Sequence, residues 1–174
     1  MTSTLRTLAA CFVLCAPAMA QEYWHRVSGT VGGLVPAAGS DTSSMGTAPL
    51  VSIQYGHRFS RHGQFDAAID TAFASRAGQR TNVYIPSVGY RVIVPFWEDR
   101  IETSIGFGGA HSFFKPQIGN QVWLVYGQLG ANYALDIDKR YRAGFNVRWY
   151  RDPIGRPVQQ WVAVGGELSY SWGR

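Results

Sequence analysis

Apolar and polar residues alternate strictly along most of the chain after residue 20. The clearest stretch is K-R-Y-R-A-G-F-N-V-R-W-Y-R-D-P at 139–153. In it the aromatic residues Tyr141, Phe145 and Trp149 are spaced four residues apart, so all three fall on the same face of a strand. A period of two is typical of a β-strand with one apolar and one polar face. Seven similar runs precede or follow it, and no later stretch shows the 3.6-residue period of an amphipathic helix. The pattern therefore predicts an all-β protein of eight strands.

The lengths of the connections between these runs indicate how the strands are arranged. The predicted connections are Pro36–Pro49, Ser60–Gly63, Ser75–Thr81, Pro95–Asp99, Ser112–Gln121, Asp136–Lys139 and Asp152–Pro157. They alternate between long and short, as they do in a transmembrane barrel with short turns at one rim and long loops at the other. A Greek-key sandwich gives no reason for such alternation. We therefore predict an eight-stranded antiparallel up-and-down transmembrane β-barrel with both chain ends at the short-turn rim.

Residue types on the two faces indicate which face points outward. The polar faces are rich in glycine, which suits the narrow interior of a small barrel. The apolar faces carry aromatic residues near the strand ends, as in the two interfacial girdles of a membrane barrel. The predicted lipid-facing girdle residues are Trp123, Trp149, Tyr133, Tyr141, Tyr170 and Trp172. The alternative is a soluble exported barrel whose aromatic residues point inward and bind a small apolar ligand.

Charged residues on the polar faces suggest ion pairs inside the barrel. If each hairpin is symmetric about its turn, three arginines lie beside or opposite three acids. The predicted pairs are Arg58–Asp66, Arg91–Glu102 and Arg142–Glu167. Opposite charges facing each other on neighbouring strands are favourable, and buried charges are costly unless they are paired. We therefore predict a cluster of lumen ion pairs that fills the interior near the short turns.

The first twenty residues have the features of a secretory signal peptide. Arg6 precedes the apolar run Leu8–Ala16, and Ala18–Ala20 is a small-x-small cleavage site. We expect a signal peptide at 1–20 and an outer-membrane barrel domain at 21–174.

Cysteine content and charge argue against a disulfide-stabilised domain and against a nucleic-acid-binding protein. Both cysteines, Cys11 and Cys15, lie inside the predicted signal, so the mature domain has no disulfide to stabilise it. The formal net charge of +5 falls by one when Arg6 is removed, and the basic residues are scattered. Nucleic-acid binding requires a basic patch, so we expect no nucleic-acid partner.

At this level the chain resembles the small eight-stranded outer-membrane barrels of Gram-negative bacteria, the OmpA-like and OmpX-like group. The resemblance covers Tyr23 to Arg174 and rests on strand number, loop alternation and the last strand, V-A-V-G-G-E-L-S-Y-S-W-G-R. It implies a monomer in the outer membrane, contact with outer-membrane lipids and lipopolysaccharide, and insertion by the barrel assembly machinery. Members usually end in an aromatic residue, whereas Gly173 and Arg174 follow Trp172 here.

A structural or surface-interaction role through the extracellular loops is the function that the sequence favours. An eight-stranded barrel is too narrow for a general diffusion pore. Some barrels of this size are lipid A deacylases with a His-x-Ser pair, but here His111 is followed directly by Ser112, and adjacent strand residues point to opposite faces. We therefore expect no catalytic, cofactor or metal site, with a lipid-modifying enzyme as the alternative. No metal-ligand spacing joins His25, His57 and His62.

Overall fold

The computed structural model describes most of the chain after the predicted signal. The described residues are 24–37, 45–76, 78–115, 121–154 and 159–173, with the side chain of Arg76 excepted. The predicted signal peptide lies outside these residues, as do parts of four connections. None of the described residues forms a helix long and apolar enough to span a membrane.

Within the described residues the chain forms eight antiparallel strands that close into a barrel. They are β1 (His25–Pro36), β2 (Ala48–Arg58), β3 (Gly63–Arg76), β4 (Gln79–Phe96), β5 (Ile101–Lys115), β6 (Val122–Ala134), β7 (Tyr141–Arg151) and β8 (Gln160–Trp172). Each strand pairs with its neighbours in sequence, and β8 pairs with β1. The predicted eight-stranded up-and-down barrel is therefore confirmed.

The strands are staggered around the barrel. Paired residues lead from Arg26 on β1 through every strand to Trp161 on β8, whose partner is Pro36, ten residues further along β1. Such a stagger tilts the strands relative to the barrel axis. The narrow tilted cylinder leaves room only for side chains inside.

The two rims of the barrel differ in their connections. The terminal rim holds residues 24 and 173 and the turns at 59–62, 97–100 and 135–140. The loop rim holds the connections at 37–47, 77–78, 116–121 and 152–159. The prediction of a long connection at Ser75–Thr81 is wrong, because β3 and β4 continue until only two residues separate them. One of these is Gly78, whose φ of +80° suits a tight turn.

The apolar faces point outward and the charged faces point inward. Leu168 is 65% exposed on the exterior, whereas the side chain of its neighbour Glu167 lies in the lumen and is 2% exposed. Phe145 and Ile105 also lie on the exterior, and Arg142 lies inside. This arrangement contradicts the soluble alternative, in which apolar residues fill the interior. The exterior is suited to hydrocarbon rather than to water.

Candidate functional site: the barrel lumen

Three arginines converge on one carboxylate at the terminal rim of the lumen. Glu102 on β5 accepts hydrogen bonds from Arg26 on β1 at 2.5 Å and from Arg58 on β2 at 2.6 Å. Arg142 on β7 lies 3.5 Å from the same carboxylate and donates to the backbone oxygen of Asp99 at 2.8 Å. One acid on β5 therefore contacts arginine side chains from three other strands.

The middle of the lumen contains two further acids with different partners. Asp66 accepts hydrogen bonds from Arg91 at 2.8 Å and from Gln64 at 2.5 Å. Glu167 accepts hydrogen bonds from two amides, Asn146 at 2.8 Å and Asn132 at 3.3 Å. Both carboxylates are buried, and a buried charge is costly unless it is paired or hydrogen-bonded. The hydrogen bonds to Asp66 and Glu167 meet this requirement.

A third group of polar residues lies nearer the loop rim. Asp70 accepts hydrogen bonds from Arg148 at 2.7 Å, from Tyr150 at 2.6 Å and from Ser52 at 2.5 Å. Arg148 also donates to Gln54. A cavity of about 10 Å³ beside this group is large enough for one water molecule.

All six residues predicted as lumen ion pairs point into the barrel, but the predicted partners are wrong. Their actual partners are Glu102 for Arg58 and Arg142, Asp66 for Arg91, and two asparagines for Glu167. The hairpins are not centred where symmetry about the assumed turns would put them. Arg58 pairs in register with Gln64, Arg91 with Gly106 and Arg142 with Ser169. The register is shifted by two or four residues, which changes the partner and preserves the face.

An apolar cap, which the alternation of polar and apolar residues does not predict, fills the lumen at the loop rim. It consists of buried residues on inward faces, among them Leu34, Leu50, Val83, Ile85, Phe114, Leu124, Tyr126, Tyr150 and Trp161. The signal was present in the sequence, because both faces become apolar near the loop rim, as in Leu34-Val35 and Trp123-Leu124. The predicted loop beginning at Ser112 is also wrong. Strand β5 continues to Lys115, and the side chain of Phe114 packs in this cap.

The lumen is closed along its described length. The side chains of Arg91, Tyr150 and Trp161 are each at most 1% exposed, although they point toward the barrel axis. A water-filled channel would leave such groups accessible. Ionic groups at the terminal rim and the apolar cap at the loop rim therefore fill the interior.

The predicted girdle residues lie on the exterior near the two rims. Trp123 and Trp149 lie toward the loop rim, on β6 and β7. Tyr133, Tyr141, Tyr170 and Trp172 lie toward the terminal rim. Tyr141, Tyr170 and Trp172 form a continuous aromatic row, with ring centroids 4.9 Å and 6.0 Å apart. His25 joins this row beside Trp172 and His57.

The candidate hydrolase pair cannot act together in this geometry. His111 lies on the exterior between Phe113 and Trp123, with ring centroids 4.4 Å and 4.7 Å away. Ser112 is buried in the lumen, and its hydroxyl lies near the backbone of Val122. A base and its nucleophile must be within hydrogen-bonding reach, which the barrel wall prevents here. No group of three or more metal-ligating side chains occurs in the described part of the chain.

Comparison with solved structures identifies proteins of the same fold. No protein-family model and no curated protein matches the sequence. The crystal structure of the outer membrane protein OprG from Pseudomonas aeruginosa matches with a TM-score of 0.66 at 10% identity, over 89% of this chain and 99% of OprG. Neisserial surface protein A matches with 0.59 at 12% identity, over 89% of this chain and all of that one. Ail, the attachment invasion locus protein of Yersinia pestis, matches with 0.55 at 10% identity, over 86% and 100%.

The chain has the fold of a small outer-membrane β-barrel protein. The resemblance inferred from strand number and loop pattern is thereby confirmed at the level of architecture. At 10–12% identity the likeness does not extend to activity.

Proposed function

We propose that this protein is a non-conducting barrel of the outer membrane that acts through the surface it presents at the loop rim. The closed lumen is the observation that supports this proposal most directly. Arg91, Tyr150 and Trp161 fill the axis where a channel would need water. The hydrogen-bonded acids and arginines of the lumen then stabilise the barrel. The loop rim is the remaining surface at which a partner could bind.

The orientation follows from the connections. In outer-membrane barrels the short turns face the periplasm and the longer loops face outward. Here the terminal rim has turns of four to six residues. The loop rim has one connection of two residues and three of six to eleven residues, so the longest connections lie at this rim. We propose that the barrel assembly machinery inserts the chain in this orientation. Trp172, on the exterior at the end of β8, is the aromatic residue available for recognition.

A lipid-modifying enzyme is not favoured by any side-chain cluster in the described residues. His111 and Ser112 lie on opposite sides of the wall, and Asp66 and Asp70 are each bound to an arginine. The buried carboxylates therefore lack the access to substrate that general acid–base catalysis requires.

Single introduced cysteines test the location and orientation. The predicted mature chain contains no cysteine, so Thr47→Cys at the loop rim and Ile137→Cys at the terminal rim each carry one label site. Both positions are exposed. A membrane-impermeant maleimide should label Thr47→Cys on intact cells and Ile137→Cys only after the outer membrane is permeabilised. The reverse pattern, or labelling of both or neither on intact cells, would overturn the proposed orientation.

Conductance measurements test the closed lumen. Purified protein in a planar lipid bilayer should produce no stable current steps, with a general porin as the positive control. Reproducible steps from folded protein would contradict the proposal. Heat-modifiable migration on a gel verifies that the protein is folded in each sample.

A further inference from the structure

Two histidines of the terminal rim lie side by side on the exterior of the barrel. His25 begins β1, His57 lies one residue before the end of β2, and the two are partners in the β1–β2 register. Their Nδ1 atoms are 3.5 Å apart. Because these residues are 32 positions apart in the chain, their spacing in the sequence gives no sign of a shared site. The pair arises from the strand register alone.

The hydroxyl group of Tyr55 completes this cluster. Tyr55 pairs in register with Val27, so it is the diagonal neighbour of His25 on the same exterior face. Its oxygen lies 2.7 Å from the same Nδ1 atom of His25 that faces His57. Three polar side-chain atoms from two strands therefore converge at one point of the rim.

Nδ1 of His25 has more partners in this cluster than it can satisfy. A neutral imidazole nitrogen either donates one hydrogen or accepts through one lone pair. Here the nitrogen faces both the Tyr55 oxygen and Nδ1 of His57. A good hydrogen bond to one partner is made at the expense of the other. A metal ion between the two imidazoles would instead use the lone pairs of both nitrogens at once.

The separation of the two nitrogens fits a tetrahedral zinc ion. Zn²⁺ binds imidazole nitrogen at about 2.0–2.1 Å, so two ligands at the tetrahedral angle are about 3.3–3.4 Å apart. The observed separation of 3.5 Å is close to this value, and only a small movement of the rings is needed. Square-planar coordination, which copper(II) prefers, would bring the nitrogens to about 2.9 Å at a similar bond length. The geometry therefore favours zinc over copper(II).

Aromatic neighbours hold the two imidazoles in place. His25 lies between His57 and Trp172, with ring centroids 5.1 Å and 5.5 Å away. Trp24 stacks on His57 with a centroid distance of 6.4 Å. Both histidines are half-buried, so an ion can reach them although their rings are packed. Ligands that are already held in position lose less conformational freedom when they bind.

We propose that His25 and His57 bind one zinc ion at the terminal rim, with water in the remaining coordination positions. Imidazole nitrogen is the commonest protein ligand for metal ions of this kind. The ion would join β1 to β2, next to the seam at which β1 pairs with β8. Because a ligand that binds only the folded state stabilises it by mass action, zinc should stabilise the closed barrel. The inference depends on the strand register and not on the proposed orientation in the membrane.

Calorimetric titration with zinc chloride tests the site. The folded barrel in detergent, purified without a histidine tag and freed of metal, is compared with His25→Phe, His57→Phe and His62→Phe. Phenylalanine keeps an aromatic ring and removes the ligand nitrogens. His62 is the matched control, because it lies at the same rim but its Nδ1 faces the backbone oxygen of Ile93 at 3.0 Å. We expect one ion per barrel for the wild type and for His62→Phe, and loss of this binding in the other two variants.

The temperature at which the heat-modifiable gel band shifts gives a second measurement. Zinc should raise this temperature for the wild type and for His62→Phe but not for the other two variants, and a chelator should reverse the rise.

The remaining outcomes would each overturn the site. Undiminished binding in His25→Phe or in His57→Phe would show that the two histidines do not share an ion. An equal loss in His62→Phe would show unselective binding to the histidines of the rim. One ion for every two barrels would indicate a bridge between copies of the chain. Folded migration on the gel before zinc is added verifies each variant, and His25→Gln or His57→Gln serves where the phenylalanine variant does not fold.

Discussion

Arg148 donates a hydrogen bond of 2.7 Å to Asp70 across the axis of the barrel. These residues belong to β7 and β3, which lie opposite each other in the closed ring of eight strands. Arg26 on β1 and Glu102 on β5 form a second bridge of this kind, at 2.5 Å. The lumen pairs therefore connect opposite walls and not only neighbouring strands. Their loss should affect the closure of the whole barrel.

Removing Asp70 should destabilise the barrel strongly. Asp70→Ala leaves Arg148 buried without its carboxylate and also removes the acceptor for Tyr150. Breaking a buried pair from one side costs about 3–5 kcal/mol, whereas replacing both partners by apolar residues is often neutral. We therefore expect Asp70→Leu/Arg148→Met to be more stable than Asp70→Ala. Equilibrium unfolding in urea, followed by tryptophan fluorescence in lipid vesicles, measures both.

The exposed pair Arg61–Asp99 supplies the control for this experiment. Its atoms are 3.0 Å apart, but both side chains are open to solvent. Exposed pairs contribute at most about 1 kcal/mol. Asp99→Ala should therefore lower the free energy of unfolding far less than Asp70→Ala does. Similar losses at the two sites would show that burial of the Arg148–Asp70 bridge adds nothing.

Neutralising Glu102 should cost more than neutralising Glu167. Glu102→Gln leaves three arginines, Arg26, Arg58 and Arg142, around a neutral amide. Glu167→Gln retains an oxygen that can still accept from Asn132 or Asn146. The temperature at which the heat-modifiable gel band shifts should thus fall further for Glu102→Gln. A larger fall for Glu167→Gln would favour the Arg142–Glu167 pairing that symmetric hairpins predict.

The sequence was sufficient to assign faces and insufficient to assign partners. Alternation with period two fixes which residues point inward, and a register error of an even number of residues leaves that unchanged. The β4–β5 turn illustrates this, because Trp97, Glu98 and Asp99 adopt positive φ and move the turn two positions beyond the assumed centre. Such conformations are unusual for residues other than glycine. Nothing in the alternation reveals them.

Partner choice also depends on distances that a flat hairpin does not represent. In a flat hairpin a side chain contacts only neighbours on the same sheet, whereas an arginine inside a narrow barrel can reach the opposite wall, as Arg26 does. The apolar cap was missed for a different reason. Inward residues such as Leu34 and Trp161 interrupt the expected polar face. The loss of alternation is visible in the sequence, but alternation alone does not show which side of a strand that is apolar on both faces points into the lumen.

Two adjacent glycines of β5 should respond differently to alanine. A Cβ at Gly108, on the inner face, would lie 2.2 Å from the backbone oxygen of Val88 and 2.6 Å from the Tyr126 ring. A Cβ at Gly109, on the exterior, meets nothing within 4 Å. Gly108→Ala should therefore lower the free energy of unfolding by about 1–3 kcal/mol. Gly109→Ala should leave it unchanged or raise it slightly. Equal effects in urea unfolding would contradict the close approach of β4 and β5.

Placing an arginine on the apolar exterior should destabilise the barrel according to depth. Leu129 lies near the middle of β6, with Ile105 and Val147 as its register partners on the two adjacent strands. Arginine at the bilayer midplane of a barrel costs about 2–4 kcal/mol, and the cost falls toward zero at the interfaces. Leu129→Arg should show this loss in vesicle unfolding, whereas Ile137→Arg, at an 84% exposed position in the β6–β7 turn, should not. If Leu129→Arg is as stable as the wild type, the exterior of β6 is not in hydrocarbon.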